Sequence, residues 1–387
     1  MKRRPLHSKL SRRSVLAGLS GAVIAAPMIN LGRSTAFAAD RSTYSSRAIG
    51  LVERAIVIDM LGVLAINDSV LSEWTSGSGM TDAQLAEFKA SGITAMHHAF
   101  GDGGPEAHQN AVMYMAATNG LIARYPEHFA RVGRAADLSR IKRAGQVGVI
   151  IGMQNAEHFR SPDDVRLFHG LGMRCAQLTY NEQNLLGSGC TERVDGGVTD
   201  FGVAVIEQMN EVGMLVDLSH CGERTTLDGI ELSRKPVAIT HANCRALNDN
   251  PRLKTDECIR KLAAKGGVFG VTGVRMFVRD REPTTIEHLV DHIDHVVRIA
   301  GIEHVGIGSD SDLNGYDDLP QAMREQIRAA YKASYGFREK GDIEGFDHPR
   351  KMLDLTEALI RRGYSDAHIE AILGGNFQRL LAQVWGG

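Results

Sequence analysis

The 387-residue chain has almost no excess charge: 44 Lys and Arg stand against 46 Asp and Glu, a net charge of −2. No long block of one sign occurs, which argues against nucleic acid or an acidic lipid surface as the partner. Cysteine is scarce. The five present (Cys175, Cys190, Cys221, Cys244 and Cys258) form no Cys-x-x-Cys pair. Their odd number and wide spacing argue against a disulfide framework or a structural zinc site. Buried free thiols are the expectation. Beyond the N-terminal segment no apolar run approaches the ~20 residues of a bilayer span. The mature protein is therefore expected to be soluble, with no transmembrane helix.

The first forty residues have a different character. A basic stretch with Lys2, Arg3, Arg4 and Lys9 leads to Ser11-Arg12-Arg13-Ser14. A weakly apolar run from Val15 to Ile29 follows, then Ala36-Phe37-Ala38. Paired arginines, a weak apolar core and a small-residue cleavage site read as a twin-arginine export signal over residues 1–39. The competing reading is a membrane anchor, for which an apolar run of roughly 15 residues with two glycines and a proline is too short. The expected destination is the periplasm. Residues 40–387 contain no linker or repeat and read as one domain.

Within that domain, short β-branched runs alternate with amphipathic stretches. Strands are predicted within Ala55–Leu61, Gly92–Phe100, Val147–Gln154, Met173–Tyr180, Met214–His220, Pro236–His241, Gly266–Thr272 and His304–Asp310. Several are apolar until a polar residue at the C-terminal end, the pattern of strands buried on both faces. Eight such strands with intervening helices predict an α/β fold, a closed (β/α)8 barrel of the TIM type, with extra C-terminal helices packed around it. The polar strand ends then converge on one mouth, where barrel active sites sit.

Three of those ends carry chemistry. His220 and His241 close neighbouring strands, and two imidazoles so placed can meet one ion at the ~2.0–2.1 Å that zinc prefers. Asp310 ends the eighth strand, where a carboxylate can bind metal, act as a base or hold a substrate ammonium. One strand-end histidine alone would read as structural; the matched trio favours function. His97 and His98 lie near the end of the second strand, and alternation aims one of them into the barrel, a core role being the simpler reading. His288, His292 and His295, with Asp291 and Asp294, resemble a metal stripe on a helix but read as an exposed face.

From Gly172 to Asp312 the chain resembles the membrane (renal) dipeptidase family of zinc peptidases, within the amidohydrolase-like barrels. The matching pieces include Leu178-Thr179-Tyr180-Asn181, Val216-Asp217-Leu218-Ser219-His220 and Thr240-His241-Ala242-Asn243. They continue through Asn250-Pro251-Arg252, Asp291-His292-Ile293-Asp294-His295 and Gly306-Ile307-Gly308-Ser309-Asp310, with Gly374-Gly375-Asn376-Phe377 near the C-terminus. The resemblance implies that His220 and His241 bind one zinc and that Asp310 lies near the substrate amine and relays protons. It also implies that Arg252 faces the substrate carboxylate, a role suited to guanidinium's planar fork. A homodimer is the assembly it suggests.

The departures matter as much. The family's first strand ends in Asp-x-His-x-Asp, but here Leu61 and Val63 stand where the His and second Asp belong. Gln154 replaces the bridging Glu, and Tyr180 replaces a histidine of the fourth strand. A shared-hydroxide two-ion centre is not expected. One zinc per chain, held by His220, His241 and Gln154 with Asp310 as base, is the leading reading, and it makes the chain a hydrolase of dipeptides or similar small N-acyl amino acid amides. Tyr180 and Asn181 would join Arg252 in binding substrate; Asn181 opens a polar run to Asn184 that equally fits a solvated loop. Two other classes stay open: a non-hydrolytic periplasmic protein that binds or rearranges a peptide-like metabolite, and a metal-free binding protein.

Overall fold

The computed structural model describes residues 44–101 and 103–386, so the export signal lies outside the described residues. Nine strands follow in order: β1 Ile58–Asp59, β2 Ala95–Phe100, β3 Phe129–Arg131, β4 Val147–Met153, β5 Met173–Gln177, β6 Leu215–Asp217, β7 Ala238–Ala242, β8 Val268–Val271 and β9 Val305–Ile307. Eight of them close a parallel barrel in the order β2-β1-β9-β8-β7-β6-β5-β4. The β2–β4 seam runs in register from Ala95 opposite Gly148 to Phe100 opposite Met153 and completes the ring. Seven of the eight barrel strands fall within their predicted windows, and β7 runs one residue past its own, to Ala242. The three-residue β3, which had no place in that reading, pairs only with β4, outside the ring. Its residues Phe-Ala-Arg offer no run long enough to show a period of two.

The strands are apolar because both of their faces are covered. All seven residues of β4 are buried, and helices supply the outer layer. Those helices start and stop on local signals. Thr199 accepts a hydrogen bond from the Gly202 amide to open Asp200–Val212, and Gly213, at φ 78°, closes it in a left-handed conformation. Near the far end of the barrel, Phe377, Leu380, Leu381 and Val384 of the helix Asn376–Trp385 join Ile58, Ile150, Leu215 and Val268 in one core cluster. The last helix thereby plugs the end where the strands begin. Function is left to the opposite end.

At that opposite end two glycines make room. A Cβ on Gly270 would lie 1.8 Å from the Thr240 carbonyl oxygen, and one on Gly308 would lie 2.0 Å from it. The residue before His241 is thus gripped by backbone on the β8–β9 side, which no side chain could share.

The segment from 320 onward, expected to pack around the barrel, divides its work. From Lys351 its helices do pack into the core. Before that, Ile343 and Phe346 join the same core, whereas Tyr331 and Tyr335, together with the preceding Tyr316, border the cavity above the strand ends. All five cysteines are free, four of them buried and Cys190 partly so. Among the described residues no helix is long and apolar enough to cross a membrane.

Candidate active site

The strand ends carrying the two histidines are tied together by one buried carboxylate. Asp217, the last residue of β6, accepts from the Ser219 amide at 3.1 Å and hydroxyl at 2.6 Å, and from the Thr240 amide at 3.0 Å and hydroxyl at 2.7 Å. Because the Thr240 hydroxyl gives its proton to Asp217, its oxygen accepts from His241 Nδ1, 2.8 Å away. On the other ring, His220 Nδ1 donates to Asn181 Oδ1 at 2.7 Å. Both imidazoles therefore carry their proton on Nδ1.

Their Nε2 lone pairs face each other at 3.0 Å. Two lone pairs at that distance repel unless an electrophile lies between them. Burial, the nearby Arg252 guanidinium and Lys254 ammonium hold both rings well below the ordinary histidine range, with His241 adding to the effect at His220 and His97 at His241. A shared proton is therefore disfavoured, whereas one cation at ~2.0–2.1 Å from each nitrogen is compatible with the separation. The pair fits one ion.

A two-ion centre does not fit. Leu61 is buried and lends only its carbonyl, which accepts the Asp310 amide at 2.7 Å; Val63 lines the cavity. Among the described residues no group of three or more His, Cys, Asp or Glu is placed to hold a metal. Of the second-strand histidines, His97 lies across Gly152, whose Cβ would come 2.0 Å from its Nε2. Its Nδ1 donates to the Met60 carbonyl at 2.7 Å, while the buried Nε2 has no partner. His98 packs beside Tyr114 and borders the cavity.

Asp310 follows the end of β9 at φ 63°, and Asn181 follows β5 at φ 59°. They are the two non-glycine residues with positive φ among the described residues, and Asn and Asp tolerate that region best. Each turns the chain sharply at a strand end and presents its side chain at the site. Asp310 is anchored by neighbours: Asp59 Oδ1 accepts from the Ser309 amide at 2.7 Å, and the buried Lys351 ammonium donates to Ser311 Oγ at 2.7 Å. Burial pushes the Asp310 carboxyl up to about 7, with Arg252 opposing and the carboxylates of Asp59 and Asp217 adding to the rise.

The cavity measures about 340 Å³ and falls in the usual range for small-molecule sites. His220, Gln154, Tyr180 and Asp310 all line it. Tyr180 stacks on His220 with ring centres 4.1 Å apart, and its hydroxyl meets that of Tyr331 at 2.6 Å. The aromatic segment above the barrel is thereby bonded to the residue that packs on a candidate ligand. Sequence reasoning overlooked this segment, although Tyr316, Tyr331, Tyr335 and Phe337 concentrate rings in a chain that is only 6% aromatic. It also left Asp217 without a role, although a carboxylate closing a buried strand is a signal in itself.

Two expectations are corrected by the packing, and Arg252 gains a bracing role beside the one expected of it. Asn181 is buried and holds His220 instead of lining the cavity. Arg252 is fully buried, its guanidinium 5.7 Å over the ring of the cavity-lining Phe277 and its Nε without a partner. Its Nη1 donates to the Ser219 carbonyl at 2.6 Å and its Nη2 to the His241 carbonyl at 2.7 Å, so it braces both ligand-bearing strand ends. The histidines of Ile286–Ala300 are not an exposed face either. His292 is buried between the Cys244 amide and the Val278 carbonyl, and His295 is buried against Asp256.

The brace predicts a specific phenotype. Arg252→Ala leaves two buried carbonyls without their partner and empties a large volume, a loss of about 3–5 kcal/mol. Thermal unfolding should show it, and metal content should fall because the histidines lose their register. A normally stable variant with full metal and only a raised KM would return Arg252 to the carboxylate-clamp role.

A family model described as membrane dipeptidase (peptidase family M19) matches residues 67–330. Leu61 and Val63 precede the matched stretch. Dipeptidase verJ of Clonostachys rogersoniana is 30% identical over 267 residues, which cover 68% of this chain and 62% of that protein. Dipeptidase ataJ of Aspergillus terreus is 31% identical over 291 residues, 68% of this chain and 64% of that one. The chain thus spans less than two thirds of the length of these relatives. An amidohydrolase from Pseudomonas aeruginosa superposes with a TM-score of 0.75 at 30% identity, covering 88% of this chain and 99% of that structure. A metallopeptidase from Rhodobacter sphaeroides, solved with a phosphinate mimic of the dipeptide L-Ala-D-Ala, shares the fold at a TM-score of 0.67 and 21% identity. With a family match across most of the barrel and strand-end histidines where the family motifs place them, the chain belongs to the membrane dipeptidase family, peptidase family M19.

Proposed function

We propose that this protein is a metal-dependent hydrolase of dipeptides or similar small N-acyl amino acid amides, working with a single zinc ion. The observation that carries this reading is the facing pair of Nε2 atoms 3.0 Å apart, beside a cavity that Asp310 also lines. His220 and His241 would hold the ion, with the side chain of Gln154, which lines the same cavity as His220, as the third protein donor. When bound, zinc lowers the pKa of a coordinated water towards ~7 and polarises a carbonyl. The chain does the rest. Asn181 and Thr240 fix the tautomers, as the partners of metal-bound histidines generally do. Asp310, held near neutrality, takes a proton from water and returns it to the leaving amine. Tyr180 walls the cavity over His220 and excludes solvent.

Relatives named as dipeptidases support the substrate class, and a cavity of about 340 Å³ suits a molecule of dipeptide size. A panel of L,L- and L,D-dipeptides with mass detection, run beside elemental analysis, tests the reading. Hydrolysis with about one zinc per chain is the expected result. A metal-loaded protein that cleaves none of them would favour the second reading, a non-hydrolytic protein that binds or rearranges a peptide-like metabolite; the missing first-strand ligands are what favour it. A protein that takes up no metal would leave only a binding role.

We further propose export to the periplasm, on the strength of Ser11-Arg12-Arg13 before a weakly apolar run. Replacing both arginines with lysine should leave precursor in the cytoplasm. Normal periplasmic accumulation of that variant would overturn the assignment.

A further inference from the structure

The rim of the barrel opposite the histidines is apolar. In the ring order, β1 lies four strands from β6 and β2 lies four strands from β7. The chain leaving β1 and β2 therefore faces His220 and His241 across the mouth. Val63, Ile66 and Leu71 follow β1 and Phe100 ends β2; all four line the cavity, and each is only partly buried. Val63 stands where the family resemblance placed a ligand aspartate, so this sector offers hydrocarbon where a second ion would need oxygen. The wall continues onto Tyr114 of the helix Ala107–Arg124, whose ring stacks on Phe100 with centres 5.8 Å apart. The Tyr114 hydroxyl donates to the His98 carbonyl at 2.7 Å, which spends its polar end on backbone.

The polar groups of this sector leave the wall uncharged. His98 accepts from the Leu64 amide through Nδ1 at 3.3 Å, so its proton sits on Nε2, which is buried and has no partner. Burial, with His97 adding to it, pushes His98 down to about 3, and the ring stays neutral at ordinary pH. Asp68 is exposed in the first turn of the helix Asp68–Ser76, where the positive end of the helix dipole suits a carboxylate. Val274, Met276 and Phe277 line the cavity as well, but they are buried in a cluster of their own with Leu253 and Tyr335. Their apolar surface is already covered. That of Val63, Ile66, Leu71 and Phe100 is not, and uncovered hydrocarbon is what an apolar ligand group can take out of water.

We propose that Val63, Ile66, Leu71 and Phe100 form a side-chain subsite, so that the substrates are dipeptides bearing one large apolar side chain, aromatic or branched aliphatic. With the scissile bond at the histidine pair, that side chain reaches across the mouth to this wall. The inference rests on the hydrolase reading for its substrate but not for its binding test. Burial of the added carbons should favour leucine or phenylalanine over alanine by about 10–100-fold.

The test uses the full chain and dipeptides that hold alanine at one position. The other position carries glycine, alanine, leucine, phenylalanine, glutamine or lysine, in both orders. In one order kcat/KM should rise about 10–100-fold from alanine to leucine or phenylalanine, while glutamine and lysine stay near alanine. The variant I66S/L71S makes the wall polar and I66F fills it, and each should bring that ratio to within about 3-fold. A damaged fold would lower all substrates alike and leave the ratio standing. No preference in either order, an equal gain with glutamine or lysine, or a ratio unchanged in both variants overturns the proposal and leaves the hydrolase reading intact. If no dipeptide is cleaved, calorimetry with reduced-bond analogues, whose CH2–NH linkage cannot be hydrolysed, decides. Tighter binding of the leucine or phenylalanine analogue than of the alanine one, with that margin lost in the variants, upholds the subsite while hydrolysis falls. If no analogue binds the unmodified protein, the subsite falls with it.

Discussion

Asp310→Asn is expected to keep its zinc and to lose turnover by about 10²-fold or more, the usual cost of removing a general base. Asn tolerates the φ of 63° as well as Asp does, and the amide bond to the Leu61 carbonyl is backbone, so the turn should survive. Only the charge and the proton site are lost. A second signature follows from the raised carboxyl. Between about pH 4 and about 7 the folded metal-free protein keeps a proton on Asp310 that the unfolded chain has released, so this group makes stability fall as pH rises through that window. The Asn variant lacks the contribution, and its melting temperature should decline less over the same range. Asp342, also pushed up to about 7 by burial, titrates in both proteins and cancels in the comparison. Normal turnover in Asp310→Asn would remove Asp310 from the mechanism and move the balance to the non-hydrolytic reading. Loss of metal would make Asp310 a ligand instead.

His241→Ala should abolish tight metal binding. Disturbing a single partner behind a ligand typically costs about 10–100-fold in affinity, and removing one of two imidazoles must exceed that. The remaining His220, still oriented by Asn181, and the weak amide donor Gln154 cannot hold an ion against solvent. Thr240→Val provides the graded control: it keeps the imidazole, removes the acceptor for Nδ1 and breaks one tie to Asp217, so its loss should fall within the ~10–100-fold range. Metal content per chain after dialysis, with circular dichroism to confirm folding, measures both. Two tightly held ions in the unmodified protein would contradict the one-zinc proposal. His97, whose buried Nε2 has no partner, would then be the first residue to examine.

Much of the architecture was legible in the sequence because the signals are local. A strand covered on both faces must be apolar along its length, so eight apolar runs announced eight barrel strands. A strand's end is where the chain meets water again, so His220, His241 and Asp310 mark the mouth from the sequence alone. Family motifs sharpened that reading and exposed its gaps, since Leu61 and Val63 declare by chemistry alone that they hold no ion. The three-residue β3 was invisible for the complementary reason. Its neighbour, not its sequence, makes it a strand.

What only the tertiary structure decided is where long side chains go. Arg252 was expected at the substrate because its motif is the family's, and the structure adds that two of its nitrogens hold the carbonyls of Ser219 and His241. A guanidinium on a flexible stem can serve several sites from one Cα, and sequence fixes the Cα alone. Likewise His292 and His295 alternate with acidic residues as an exposed stripe would, but partners from distant segments bury them. Asp217 gained its meaning only when β6 and β7 lay side by side, bringing Thr240 within reach 23 residues later in the chain. The tyrosines at 316–335 acquired theirs when that segment came to lie over a cavity formed by residues far earlier in the chain. Periodicity and strand-end polarity are properties of a chain and its neighbours in sequence. Hydrogen-bond partners and cavity walls are properties of segments that sequence keeps apart and folding brings together.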